Sequence, residues 1–143
     1  MVMGMLWKSV AILITGIVIF SISLLLLDVT PIFPYESWFP TPVLSGFIAG
    51  FVVGALTSRL KNGIPLALLS AILGHLVYWV VRVFTFGYYS YTIAELIWNG
   101  SWWWNILFCA VLMSAPGAMT GVALAVLVAT LLKEKREFSG ISP

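Results

Sequence analysis

The sequence predicts an all-α polytopic membrane protein, with four transmembrane helices in a tightly packed bundle and both termini cytoplasmic. Three observations predict it. Of 143 residues, 62% are hydrophobic and 8% charged, against roughly 25% charged residues in an ordinary soluble domain. Charge-free apolar runs recur along the chain, and a hydrocarbon core about 30 Å thick takes about 20 helical residues at about 1.5 Å each. Six of the seven Lys and Arg fall on one side if the chain crosses four times, as positively charged loops retained in the cytoplasm require. Residues 1–143 then form a single transmembrane domain. Its spans lie at about 6–27, 43–60, 64–86 and 103–132, its outer loops at 28–42 and 87–102, and its cytoplasmic tail at 133–143.

The first span is the run Ser9 to Leu27, free of charge and bounded by Lys8 and Asp28. A cleaved signal peptide would show a shorter apolar run and an Ala-x-Ala-like site, and neither is present, so the span is read as retained. Pro31, Pro34, Pro40 and Pro42 follow, with Phe33, Tyr35, Trp38 and Phe39 between them. Prolines this dense oppose a helix and the aromatics suit headgroups, so an interfacial loop is expected. The glycine-rich run from Val43 ends at Arg59 and Lys61; Asn62-Gly63 is expected to turn, and Pro65 to sit in the first turn of the third span. Gly87 to Tyr91 and the short periodic stretch Thr92 to Trp98 read as interfacial. From Leu96 to Leu132 no charge appears. One long helix from about Trp102, kinked at Pro116, is preferred over two half-helices meeting there. Lys8, Arg59, Lys61, Lys133, Lys135 and Arg136 thus share the cytoplasmic side, with Arg82 the exception.

A net charge of +2 with scattered basic residues excludes a nucleic-acid surface, which needs Lys and Arg clustered on one face. Cys109 has no second cysteine to pair with, and together with the one histidine it falls short of the four ligands of structural zinc. There is no CxxC, no second intramembrane histidine, no GxSxG and no intramembrane Asp or Glu of the kind used in proton-coupled transport. No catalytic, cofactor or metal site is expected, and the chain is not read as an enzyme.

Two constellations remain. Gly46, Gly50 and Gly54 form GxxxGxxxG, a glycine-zipper spacing, on the second span; Gly117 and Gly121, with Ala125 and Ala129, repeat it on the fourth, and Ala67, Ala71 and Gly74 on the third. Small residues four apart let another backbone come close, and in lipid that contact replaces the missing hydrophobic drive between helices. The neighbour is either another span of this chain or another subunit. The third span also carries a polar stripe, Ser70, His75, Tyr78 and Arg82, recurring at steps near one helical turn. His75 is about ten residues, or about 15 Å, beyond Pro65, near the midplane, where an ionisable side chain marks a candidate site. It either lines a path or ligand site with Tyr78 and Ser70, or bonds a hydroxyl or carbonyl of a neighbouring helix. Arg82 is expected at the outer interface, paired with Glu95, Glu36 or Asp28 or reaching lipid phosphate. Asn99-Gly100-Ser101 is a glycosylation sequon on the outer side. Trp98, Trp102, Trp103 and Trp104 read as interfacial anchors.

The stretch from Gly46 to Gly54, through Asn62-Gly63-Ile64-Pro65 to Gly74-His75, resembles small glycine-rich archaeal four-span membrane proteins of unassigned function. The resemblance implies a four-helix bundle and no site residue. Together these features lead to a non-catalytic integral protein of the cell membrane, in contact with lipid and with itself or other membrane subunits. It is expected to be a small accessory subunit or a self-assembling bundle. The alternative is an oligomeric channel or small transporter lined by the third-span stripe.

Overall fold

The computed structural model describes residues 2–30, 40–86, 108 and 112–138. Four helices are long and apolar enough to cross a membrane: α1 (Val2–Val29), α2 (Pro40–Thr57), α3 (Leu60–Phe86) and α4 (Ser114–Phe138). They pack together, with α2 and α3 each touching all the others, while α1 and α4 share no interface among the described residues. The section is therefore a rhombus with α2 and α3 on its short diagonal.

Several boundaries fall away from the expected ones, each for a local reason. Pro40 and Pro42 belong to the first turn of α2 and not to the preceding loop, because the N–H groups that proline lacks have no partner in a first turn anyway. The turn between α2 and α3 is made at Ser58-Arg59, not at Asn62-Gly63. Ser58 adopts a φ of 55° and returns its N–H to the Gly54 carbonyl at 2.8 Å, the left-handed cap of a helix C-terminus. Gly63 is needed for packing: a Cβ there would lie 2.8 Å from Thr57 Oγ1 and 2.9 Å from Val122 Cγ1. Pro65 consequently lies inside α3, a full turn past its start. Pro116 is the third residue of α4 and directly follows π-helical residues Leu112 and Met113, the widened turn by which a running helix accommodates a proline without an N–H; the expected start near Trp102 lies outside the described residues. The α4 helix also continues through Lys133 to Phe138, where a tail was expected. The loop at 31–39, the aromatic segment with its sequon and tryptophans at 87–107, and Cys109 lie outside the described residues.

The core is narrow and built from small side chains. On α2 the buried positions are Pro42, Ser45, Gly46, Ala49, Gly50, Val53 and Gly54, a single helix face. Ala67 and Ala71 of α3 and Ala118 and Val122 of α4 close over it, and Phe20 of α1 is the largest fully buried side chain. Ile14, Val18, Ile22 and Leu26 form the outward ridge of α1, one residue per turn.

Candidate functional site: a polar column between two parallel helices

Gly46, Gly50 and Gly54 lie against α4, not on the bundle's outer face. A Cβ at Gly50 would sit 2.8 Å from the Ala118 Cα, and one at Gly54 would sit 2.8 Å from the Val122 Cα. Gly46 stands over Ser114 in the same way, so α2 and α4 run parallel with a fixed register. From the other side, a Cβ at Gly117 would come within 2.9 Å of the Val43 carbonyl carbon, and one at Gly121 within 2.7 Å of the Phe51 nitrogen. Backbone meets backbone here, and nothing larger than hydrogen fits.

The third-span stripe faces α1, which also runs parallel to it. Ser70 is fully buried and its hydroxyl lies 3.4 Å from the Leu13 carbonyl, a long hydrogen bond. One turn on, Gly74 makes room for Phe20: a Cβ there would be 2.8 Å from the Phe20 ring. Beside that ring the Ser21 hydroxyl is 2.8 Å from the Ile17 carbonyl and 2.9 Å from that of Gly74. His75 is 3% exposed. Its ring is tilted against Phe20, with centroids 6.0 Å apart, and against Tyr78 at 6.1 Å, and its Nδ1 is buried with no hydrogen-bond partner.

At the end of the column three side chains close a ring. Tyr78 Oη donates to Asp28 Oδ2 at 2.9 Å and accepts from Arg82 Nη1, and Arg82 Nη1 lies 2.8 Å from the same Asp28 oxygen. The Arg82 guanidinium also stands over the rings of Tyr78 and Trp79, at 5.8 and 5.7 Å from their centroids, within cation–π range. Of the carboxylates offered to Arg82 by the sequence, Asp28 is the one the structure pairs with it; Glu36 and Glu95 lie outside the described residues. Both partners are about one-third exposed, so this end of the column opens onto the surface of the bundle.

The structure brings Ser70, His75, Tyr78 and Arg82 onto one seam, settles Asp28 among the partners offered to Arg82, and adds Ser21 and Phe20, which the sequence reading did not assign to it. A signal for Ser21 existed, because Ser21 and Asp28 are seven residues apart on α1 and therefore on one face. His75 stands seven residues before Arg82 on α3, about 10 Å along the helix axis. Among the described residues no group of three His, Cys, Asp or Glu side chains gathers as a metal site would. Comparison with protein-family models, curated proteins and solved structures finds no match to this chain.

Proposed function

We propose that the chain is a non-catalytic, multi-pass protein of the cell membrane that serves as a small accessory subunit of a larger membrane complex. The single observation behind this reading is that both of its distinctive features are used within one chain. The glycines of α2 and α4 hold each other, and the stripe on α3 is packed on α1, with Ser70, His75 and Tyr78 each less than 5% exposed. What remains outward is apolar, such as the α1 ridge from Ile14 to Leu26. In this reading both termini lie in the cytoplasm; what supports it is that Lys8, Arg59, Lys61, Lys133, Lys135 and Arg136 fall at one end of the bundle, as the retention of positively charged loops on that side requires. In this reading self-assembly through Gly46, Gly50 and Gly54 gives way to contacts made by the outer faces.

Native mass spectrometry after gentle extraction from the source membrane tests this. A mass that includes a different polypeptide is the expected result, and a monomer carrying lipid alone overturns it. One observation favours a second reading, a channel or small transporter formed by several copies: the buried Nδ1 of His75 has no partner, and an unsatisfied polar atom inside a membrane protein invites a functional role. That reading expects a homo-oligomeric mass and a flux in liposomes that His75→Ala abolishes. Liposomes no leakier than empty vesicles would remove it.

A further inference from the structure

The bundle has a floor, and α4 passes through it. By the register of Gly50 on Ala118 and Gly54 on Val122, Thr57 at the end of α2 is level with Ala125 of α4. On the other side Gly63 faces Val122, and α3 begins three residues before Gly63, at Leu60, which brings its start to the level of Ala125 as well. Below that level α4 runs on to Phe138, about 20 Å at helical rise. Every residue from Leu127 to Glu137 is exposed.

The side that α4 turns to α2 does not stop where α2 stops. Within the bundle it is held by Ala118, Val122 and Ala125, each at most 3% exposed. Ala129 follows Val122 by seven residues and Leu132 follows Ala125 by seven, two turns on and on the same side of the helix. Leu132 is 55% exposed. Lys133 and Arg136 follow Val122 and Ala125 by eleven residues, three turns on, and stand on that side too. Glu134 is nine residues from Ala125 and so points half a turn away, to the opposite side. Glu137 reaches Lys133 only at 3.9 Å, with both side chains more than two-thirds exposed, a contact too loose and too wet to neutralise it. The continued side is therefore first apolar and then basic.

Depth decides what suits it. Lys8 and Asp28 are 20 residues apart on α1, and Lys61 and Arg82 are 21 apart on α3, about 30 and about 31 Å, each the thickness of a hydrocarbon core. Lys8 and Lys61 are level, since they stand 12 and 13 residues before Phe20 and Gly74, which pack on each other. The floor at Leu60 lies in the plane of those cations. Leu132 is about 10 Å below it, past the acyl chains, where an exposed leucine is hidden from water by protein and not by lipid.

We propose that the side of α4 formed by Ala129, Leu132, Lys133 and Arg136 is the docking surface for an acidic helix of a partner subunit, laid beneath the α2–α3 turn as a continuation of the α2–α4 seam. The inference rests on the reading of the chain as an accessory subunit. Continuity with the seam sets the apolar contact at Ala129 and Leu132, and Lys133 and Arg136 require Asp or Glu one turn further along the incoming helix. A second copy of this chain matches poorly, because its own extension carries the same cations on the same side.

The test is photo-crosslinking of the full chain in its source membrane, with p-benzoylphenylalanine placed at Leu132 or at Thr130, which is at similar depth but turned away. The crosslinked peptides are sequenced by mass spectrometry. Leu132 should yield one segment of a different polypeptide, with Asp and Glu outnumbering Lys and Arg, at least tenfold over Thr130. Lys133→Gln with Arg136→Gln should lower that yield at least fivefold with helix content by circular dichroism unchanged. Lys8→Gln with Lys61→Gln removes the same charge elsewhere and should preserve it. Crosslinks from Leu132 to lipid alone, to a second copy of this chain or to a segment without acidic excess overturn the proposal, as does an equal loss in both double variants. A heteromeric mass in native mass spectrometry without a Leu132 crosslink overturns this surface and leaves the accessory reading standing. Absence of both overturns the two together.

Discussion

The two parallel seams of the bundle, α2 on α4 and α1 on α3, solve one problem with opposite means. Along α2 and α4 glycine removes the side chain, and the contact is backbone on backbone at Ala118 and Val122. Along α1 and α3 side chains fill the gap: Phe20 over Gly74, Ser70 against Gly16, and the Asp28–Tyr78–Arg82 ring at the end. In lipid, helices gain little by hiding apolar surface from one another, so close contact and interhelical hydrogen bonds carry association. The first seam uses contact almost alone. The second divides the task between contact and polar bonds. A seam without side chains has nothing to move when it is overfilled, whereas one made of side chains can yield.

The largest effect should therefore follow Gly50→Leu. Its Cβ alone would meet the Ala118 backbone at 2.8 Å, and no rotamer relieves a clash at Cβ. Overpacking a core costs about 1–3 kcal/mol where neighbours can shift, and here α2 and α4 must part, so a loss above about 3 kcal/mol is expected. Unfolding in mixed micelles, followed by circular dichroism, measures it. A midpoint equal to that of the wild type would mean the two helices are not in contact along this face.

Gly16→Ala probes the other seam with the smallest possible addition. The new methyl would meet the Ser70 Cβ and a Val53 methyl, each at 2.8 Å, and would press on the Ser70 hydroxyl. All are side-chain atoms. A loss of about 1–2 kcal/mol is expected, and Ser70→Gly in the same chain should recover at least half of it, a coupling typical of residues in contact. The equivalent rescue is impossible for Gly50→Ala, where the obstacle is the Ala118 backbone. If Ser70→Gly brings no recovery, the α1–α3 seam is as rigid as its neighbour and the contrast fails.

The same contrast explains what the sequence made legible. Four apolar runs, their order and the GxxxG spacing were readable, because length, hydropathy and small-residue period are local properties. The partner of that spacing was not, since GxxxG looks alike whether Ala118 or another subunit lies opposite. The partner of Arg82 was open for a related reason. Asp28, Glu36 and Glu95 are equivalent as sequence, and it is the parallel packing of α1 on α3 that brings Asp28 to Arg82. The position of the α2–α3 turn was misplaced by two glycine roles that sequence does not separate. Asn62-Gly63 has the composition of a turn, but Gly63 serves close packing against Thr57 and Val122, and Ser58 takes the left-handed position.

The smallest effect is expected at the polar end of the second seam. Asp28→Asn keeps the shape of the side chain and an oxygen for Tyr78, removes the charge opposite Arg82, and leaves Arg82 stacked on Tyr78 and Trp79. Partly exposed ion pairs contribute about 0–1 kcal/mol, and interhelical polar contacts in membrane proteins average about 0.6 kcal/mol. A loss of about 0.5–1 kcal/mol is expected. It should shrink as sodium chloride is raised, since added salt screens the Asp28–Arg82 attraction that the variant has lost. Micellar unfolding at low and high salt decides the point. A salt-independent loss above about 3 kcal/mol would show that this ring anchors α1 as firmly as the glycines anchor α4. The side-chain seam would then owe its strength to a charge rather than to contact, and the division of labour drawn between the two seams would be reversed.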